Sequence, residues 1–415
     1  MAVSPKRVGL IVGFILVTIG LGFAIYFVFF RDLFGPVPTN RNIGLPGVFP
    51  TVNENRNVTV VNANASAVLP NINGAPPGPR PVADGGLTRT VPVVSTIDNG
   101  ATLARNGRDL IYYDPTTGQF FQISPDGRIK TLLSPDAYPD VQKITWSPLK
   151  DKAIIEFPDQ SKFLYDFRKK QQYTLAPEMQ DISFAPSADR IAFKFIGDDP
   201  DDRFLVIGNA DGTSSRVLEP LANKPDQFSP DWSPAGNVVG TFVESIDATR
   251  QRVVPIGQLG ENFADFTVPG RGFQSSWSPG GDKILYSVFT KESAYNPQLY
   301  IADGRTENLG SANTSLDLQT WPSKCSFNGS GSALFCGVPQ YLDQGSALFP
   351  ETAAAVPDDF YRIDLVTGEK RLIARPISDS GNTSFTASQL SVSSDDSLLY
   401  FYDQQSKQVQ RIQLR

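Results

Sequence analysis

One short motif returns along this chain at intervals that only a repeat architecture produces. Trp146-Ser147-Pro148, Phe184-Ala185-Pro186, Trp232-Ser233-Pro234 and Trp277-Ser278-Pro279 are four clear copies, and weaker ones begin at Leu103, Phe327 and Val392. The seven starts lie 43, 38, 48, 45, 50 and 65 residues apart. A mean of about 48 residues suits a unit of four short strands rather than a helical solenoid repeat. Seven residues after each start stands an apolar residue: Leu110, Ala153, Ile191, Val239, Ile284, Leu334 and Leu399. Nine after stands Tyr112, Ile155, Phe193, Thr241, Tyr286, Cys336 or Phe401. That is a strand, a tight turn and a second strand with alternate residues facing inward. Asp151, Asp189, Asn237 and Asp282 at the turn suit side-chain bonding to local backbone.

Later turn signals, Asp211-Gly212, Asp303-Gly304 and Thr367-Gly368, separate a third strand from a fourth. The 34 Gly and 33 Pro against 19% charged residues fit many strands and turns better than long helices. The last unit ends one strand short, and residues 90–97, ahead of the first unit, read as the strand that completes it. Closing a ring in this way removes an exposed sheet edge. The expectation is an all-β, seven-bladed β-propeller over residues 87–415, with six blades as the alternative. Leu103, Trp146, Phe184, Trp232, Trp277, Phe327 and Val392 are then the core anchors that start the blades.

The Trp-Ser-Pro starts followed by a Lys/Arg-Ile-x-Tyr/Phe strand resemble the WD40-like (PD40) repeats of TolB-type β-propellers. The resemblance covers about residues 97–415 and specifies a blade rather than an activity. Relatives with this propeller include periplasmic TolB, which binds protein partners, and the propeller domains of prolyl oligopeptidase-like enzymes. The latter carry a separate α/β-hydrolase domain, for which this chain has neither length nor histidine.

Residues 8–30 are 23 uncharged, mostly apolar residues, enough to cross a bilayer as a helix. The run ends in Tyr26-Phe27-Val28-Phe29-Phe30, where a cleavage site would need small residues, so an uncleaved anchor is expected. Lys6 and Arg7 before it place residues 1–7 in the cytoplasm and the body outside a cytoplasmic (inner) membrane. Residues 31–86, rich in Pro and Asn, read as a flexible linker.

With no histidine and two cysteines, Ser-His-Asp and Cys-His catalysis and His-ligated metals are excluded. No catalytic, cofactor or metal residues are expected, and the chain is expected not to be an enzyme. A net charge of −6, with 30 basic and 40 acidic side chains in residues 97–415, gives no reason to expect nucleic acid. Cys325 and Cys336 flank a turn, and a hairpin centred between Ser330 and Gly331 sets them directly opposite each other, as a disulfide or as two small buried residues. The run Asp198-Asp199-Pro200-Asp201-Asp202 lacks the spacing of a calcium loop and reads as a solvated turn.

Loops between second and third strands, and between units, fall on one face of a propeller, and here they are the long ones: 197–203, 244–252, 290–297 and the insert 337–359. Asp199, Asp201, Asp247, Tyr295, Tyr341 and Phe349 on them are the candidate partner-binding residues. The leading expectation is a membrane-anchored scaffold that binds an envelope protein or glycan. The alternatives are a propeller using funnel carboxylates on a saccharide or peptide, and a self-assembling surface subunit.

Overall fold

The computed structural model describes residues 78–94, 101–261 and 263–415. The expected membrane segment and most of the linker lie outside the described residues, among which no helix is long and apolar enough to cross a membrane. The described chain is all-β, with five four-stranded sheets and one eight-stranded sheet. Each four-stranded sheet is an antiparallel meander in chain order, as in Lys143–Trp146, Lys152–Glu156, Lys162–Asp166 and Gln171–Leu175. Repeated sheets of this kind are typical of a β-propeller.

Why the motif recurs is visible at its turn. At every one of the seven starts the residue after the start donates its N–H to the carbonyl five residues on, from Ala104 to Asp109 (2.8 Å) through to Ser393 to Leu398 (2.9 Å). Inside each turn a second bond closes back over three residues, as from Lys150 N–H to Ser147 O and from Gly281 N–H to Ser278 O. The motif serine supplies a third. Ser147, Ser233, Ser278 and Ser393 each accept the N–H of the residue five on through Oγ, and Asn328 does the same through Oδ1. Proline next in line holds the φ that the first inner turn position requires. The fourth residue after each start is left-handed at all seven places: Gly107, Lys150, Ala188, Gly236, Gly281, Gly331 and Asp396, with φ between 53° and 86°.

Second strands are buried on both faces, not on one. Ala153, Ile154 and Ile155 are consecutive and fully buried, as are Ile191, Ala192 and Phe193. Each sheet stacks between two neighbours, so the inward alternation expected from sequence gives way to a continuous apolar run. The core accordingly lies between sheets: Tyr113 and Phe120 pack against Ala153, Ile155 and Tyr165 of the next one.

The eight-stranded sheet joins two meanders through the strand that opens the body. Leu87–Val94 pairs antiparallel with Gln408–Gln413, Thr90 opposite Ile412, and parallel with Lys370–Ile377, Leu87 opposite Arg375. The closing strand expected at 90–97 thus begins three residues earlier. Residues 78–86, assigned to the linker by composition, already pack on this body: Ala83 is buried and donates its N–H to Gln413 O. The first strand Thr102–Leu103 touches Ala387–Val392 of the last meander, and Tyr400 Oη donates to Arg108 O at 2.8 Å, so the two ends of the body meet.

Cys325 and Cys336 are joined by a disulfide across a Cα separation of 4.1 Å. They face each other in the register Cys325–Cys336, Ser326–Phe335, Phe327–Leu334. Asn328 N–H bonds to Ala333 O, so by alternation the cysteines form a narrow, non-hydrogen-bonded pair, which is where side chains approach most closely.

Candidate functional site

The insert between Ala333–Pro339 and Asp358–Asp364 is folded down rather than free. Its middle is held by the loop of the preceding sheet: Gly345 N–H donates to Ala294 O (2.9 Å), Ala347 N–H to Tyr295 O (3.0 Å) and Ser346 N–H to Asn296 Oδ1 (3.2 Å). Ala294 and Tyr295 adopt left-handed φ of 55° and 57°, which turns their carbonyls toward the insert. Its far end is held by the following sheet, where Thr386 Oγ1 donates to Val356 O (3.1 Å) and Gln405 Nε2 to Ala355 O (3.3 Å).

Where the insert ends, Lys324 Nζ and Asp358 form an ion pair at 2.8 Å, both buried, and Asp358 Oδ2 also accepts the Ala387 N–H at 2.6 Å. Burial pushes the Asp358 carboxyl up to about 6 even though the Lys324 ammonium pulls it down.

Beneath this roof is a cleft with two adjoining lobes of about 170 and 530 Å³ that share Ser323, Ala354, Ser388 and Gln404. One is completed by Trp321, Gln274 and Thr386, the other by Gln389, Tyr402 and Lys407. Ser388 and Gln389 belong to the first strand of the last meander, whose register slips between Ser388 and Ser391, and Gln389 has φ 48°. A bulge of this type re-aims a side chain next to a site. The lining mixes amide, hydroxyl and aromatic groups with the apolar Pro350, Ala353 and Ala354, the ion-paired Lys324 and the exposed cation Lys407. Such surfaces hydrogen-bond and stack on polar ligands.

None of the residues chosen from sequence lines the cleft. Tyr295 anchors the insert, and Tyr341 (61% exposed) and Phe349 (57%) sit on the insert's outer side. Asp199 accepts the Asp201 N–H in a short turn of its own. Asp247 is held down to about 2 by Thr249 N–H, Arg250 and Thr249 Oγ1, so its carboxylate is spent on its own turn. Among the described residues no group of three or more potential ligands is placed to hold a metal. The blade-start anchors are core: Phe184, Trp232 and Val392 are buried, and Leu103, Trp146, Trp277 and Phe327 pack partly buried against core clusters.

One carboxyl escaped the sequence reading. The residue before each start is Thr102, Thr145, Ser183, Ser276, Ser326 or Ser391, and once Asp231. Small hydroxyl side chains suit first strands that touch between sheets, and Ser183 Oγ accepts the Trp232 N–H of the next sheet at 2.9 Å. Asp231 keeps a little exposed surface, but burial pushes its carboxyl up to about 7, with the Trp277 indole holding it down slightly. Comparing the seven positions would have revealed it.

No protein-family model matches the chain, and no curated protein matches it. Solved structures do. An oligogalacturonate lyase in complex with manganese superposes with a TM-score of 0.53 at 14% identity over 75% of this chain and 88% of that one. The Cps50 (Swd1) β-propeller domain of Myceliophteria thermophila gives 0.52 at 10% identity over 79% and 100%. An oligogalacturonate lyase from Vibrio parahaemolyticus gives 0.50 at 11% identity over 75% and 88%. At these identities the likeness is one of fold. The expectation of a non-enzyme is withdrawn, since propellers of this fold include oligogalacturonate lyases. What the chain shares with these structures is the β-propeller fold.

Proposed function

We propose that this chain is a seven-bladed propeller of TolB-like build, carried by a membrane anchor at residues 8–30 on the outer side of a cytoplasmic membrane, and that it binds an envelope protein or glycan in the cleft under the insert. The observation that carries the reading is the roofed cleft itself. An 18-residue excursion, residues 340–357, stapled at its middle by backbone bonds and at its far end by side-chain bonds and a buried ion pair has ordering cost that a merely tolerated loop does not meet. Amide, hydroxyl and aromatic side chains match the hydroxyls and ring faces of a glycan or the amides of a peptide.

Ser388→Trp fills the cleft and leaves the stapling residues themselves unchanged. Binding of envelope glycan fragments or envelope proteins to the full chain, measured by calorimetry, is expected to fall at least about tenfold in this variant. Unchanged binding with an unchanged melting curve overturns the site. Protease added outside intact cells is expected to release the body by cutting between residues 31 and 77; protection until lysis overturns the orientation.

A second reading is favoured by Asp231. A carboxyl near neutrality beside first strands otherwise lined by hydroxyls is what a general acid or base requires. Turnover of an acidic or neutral oligosaccharide that disappears in Asp231→Asn, with the fold intact, would establish that reading.

A further inference from the structure

One sheet has a third strand that its fourth strand only partly covers. Gln251–Gly257 is seven residues long, but Phe266–Val268 pairs only with Gln251, Arg252 and Val253. Residues 254–257 therefore have Val238–Ser245 on one side and no strand on the other. The phase of the ladder identifies which groups are left over. Ile246 N–H donates to Arg250 O, so bonded pairs alternate from there through Glu244–Arg252, Phe242–Val254 and Gly240–Ile256. Pro255 falls between them and turns its backbone to the open side. Because proline has no N–H, this position offers an added strand only its carbonyl, as an acceptor.

The neighbouring sheet shows that a short fourth strand need not leave an open edge. There Thr314–Ser315 is only two residues long, yet Leu299 N–H bonds to Leu318 O and Asp303 N–H to Ser311 O, so loop backbone completes the edge. No such bond reaches residues 254–257 among the described residues.

The open edge forms one wall of a groove of about 530 Å³, and Leu218 and Glu219 of the preceding sheet's outer strand, Arg216–Pro220, form the other. Its floor is apolar: Phe228 and Phe242 lie with ring centroids 4.7 Å apart, beside Leu218 and Ile256. The charged groups lining it are the carboxylates of Glu219 and Glu261, while the Arg216 guanidinium nearby donates to Gln258 O. Glu219 is exposed and has no cationic partner among the described residues, and Glu261 accepts the Leu259 N–H at 2.6 Å. The face of Phe242 already receives one ammonium, Lys224 Nζ at 6.0 Å from the ring centroid.

We propose that this groove binds an extended peptide with alternating basic and apolar residues, whose backbone pairs with residues 254–257. Its apolar side chains rest on Phe228 and Phe242, and its cations meet Glu219 and Glu261. Strand addition supplies affinity through main-chain bonds, and the alternate side chains supply selectivity. The pair of carboxylates at the rim sets the sign of the partner, since like charge there is disfavoured.

The test uses the full chain and three fluorescein-labelled hexapeptides read by anisotropy: alternating Lys and Val, alternating Glu and Val, and the Lys-Val peptide with every second backbone nitrogen methylated. The Lys-Val probe is expected to bind saturably, and the other two at least about tenfold more weakly. Glu219→Lys, on an exposed outer strand, is expected to weaken the Lys-Val probe by about tenfold with no change in melting temperature, whereas Ser388→Trp leaves it unaffected. Equal binding of the acidic probe, indifference to N-methylation, or no saturable binding to a chain of normal stability overturns the proposal.

Discussion

Lys324 and Asp358 stand 34 residues apart in the chain and form a buried ion pair at 2.8 Å that fastens the end of the insert to the turn just ahead of the strand Cys325–Phe327. A pair this deep is costly to break from one side, because the surviving charge is left without solvent or partner. Lys324→Met is expected to destabilise the body by about 3 kcal/mol at neutral pH. The joint change Lys324→Met with Asp358→Leu is expected to recover most of that loss, as read by urea unfolding. The single variant should also suffer less below pH 6, where Asp358 takes up a proton. Equal losses in the single and the double variant would mean that packing, not charge, holds the insert.

The pH dependence of stability follows from two raised carboxyls. Asp358 and Asp231 titrate near 6 and 7 in the folded chain against an ordinary value of about 3.9 for an unfolded aspartate. Between those limits the folded state holds protons that the unfolded chain releases, so their contribution is complete below about pH 4 and is lost as the pH rises through 6 and 7. Asp231→Asn is expected to flatten the upper part of the fall, measured as the urea midpoint at pH 5 and pH 7.5. A wild-type midpoint that rises over this interval contradicts the assignment.

The disulfide is expected to appear as a Cys325–Cys336 cross-linked peptide in non-reducing mass spectrometry. Replacing both cysteines by alanine should cost no more than about 3 kcal/mol, since the bond closes a loop of only a dozen residues in the unfolded chain. A loss well above that would point to a packing role for the sulfur pair.

Two glycines at one turn position should respond differently to the same change. Gly236 and Gly281 are both left-handed, at φ 86° and 70°. A methyl group on Gly236 meets nothing within 4 Å, whereas on Gly281 it would lie 2.8 Å from Ala235 N. Gly236→Ala is expected to cost about 1 kcal/mol for backbone strain alone, and Gly281→Ala clearly more. Thermal unfolding of the two variants side by side decides it.

The sequence reading succeeded where a residue's role is set by its near neighbours. The motif serines and prolines marked the turns, and the turn centre between Ser330 and Gly331 placed Cys325 against Cys336. It failed where the role depends on distant packing. Lys150, Ala188 and Asp396 occupy left-handed positions that glycine fills at the other starts, and nothing in their own chemistry announces it. The parallel pairing of Leu87 with Arg375 spans most of the chain, and ordinary turn signals say nothing about it. The cleft was missed for a related reason: Gln274, Ser388 and Gln404 are commonplace surface residues until two sheets and the insert bring them together. The aspartates and tyrosines that attracted notice are conspicuous by type, not by placement.

The strand Leu87–Val94 also sets the order of events during synthesis. It leaves the ribosome about 320 residues ahead of its antiparallel partner, Gln408–Gln413. At about 5–20 residues per second the early strand waits roughly 16–65 s for its mate. Through that interval the sheets between can form one after another, while the body remains an open arc with an uncovered edge at each end. Synthesis that stops short of Gln408–Gln413 would leave that arc permanently unclosed, a more serious failure for this protein than a missing surface loop of the same length.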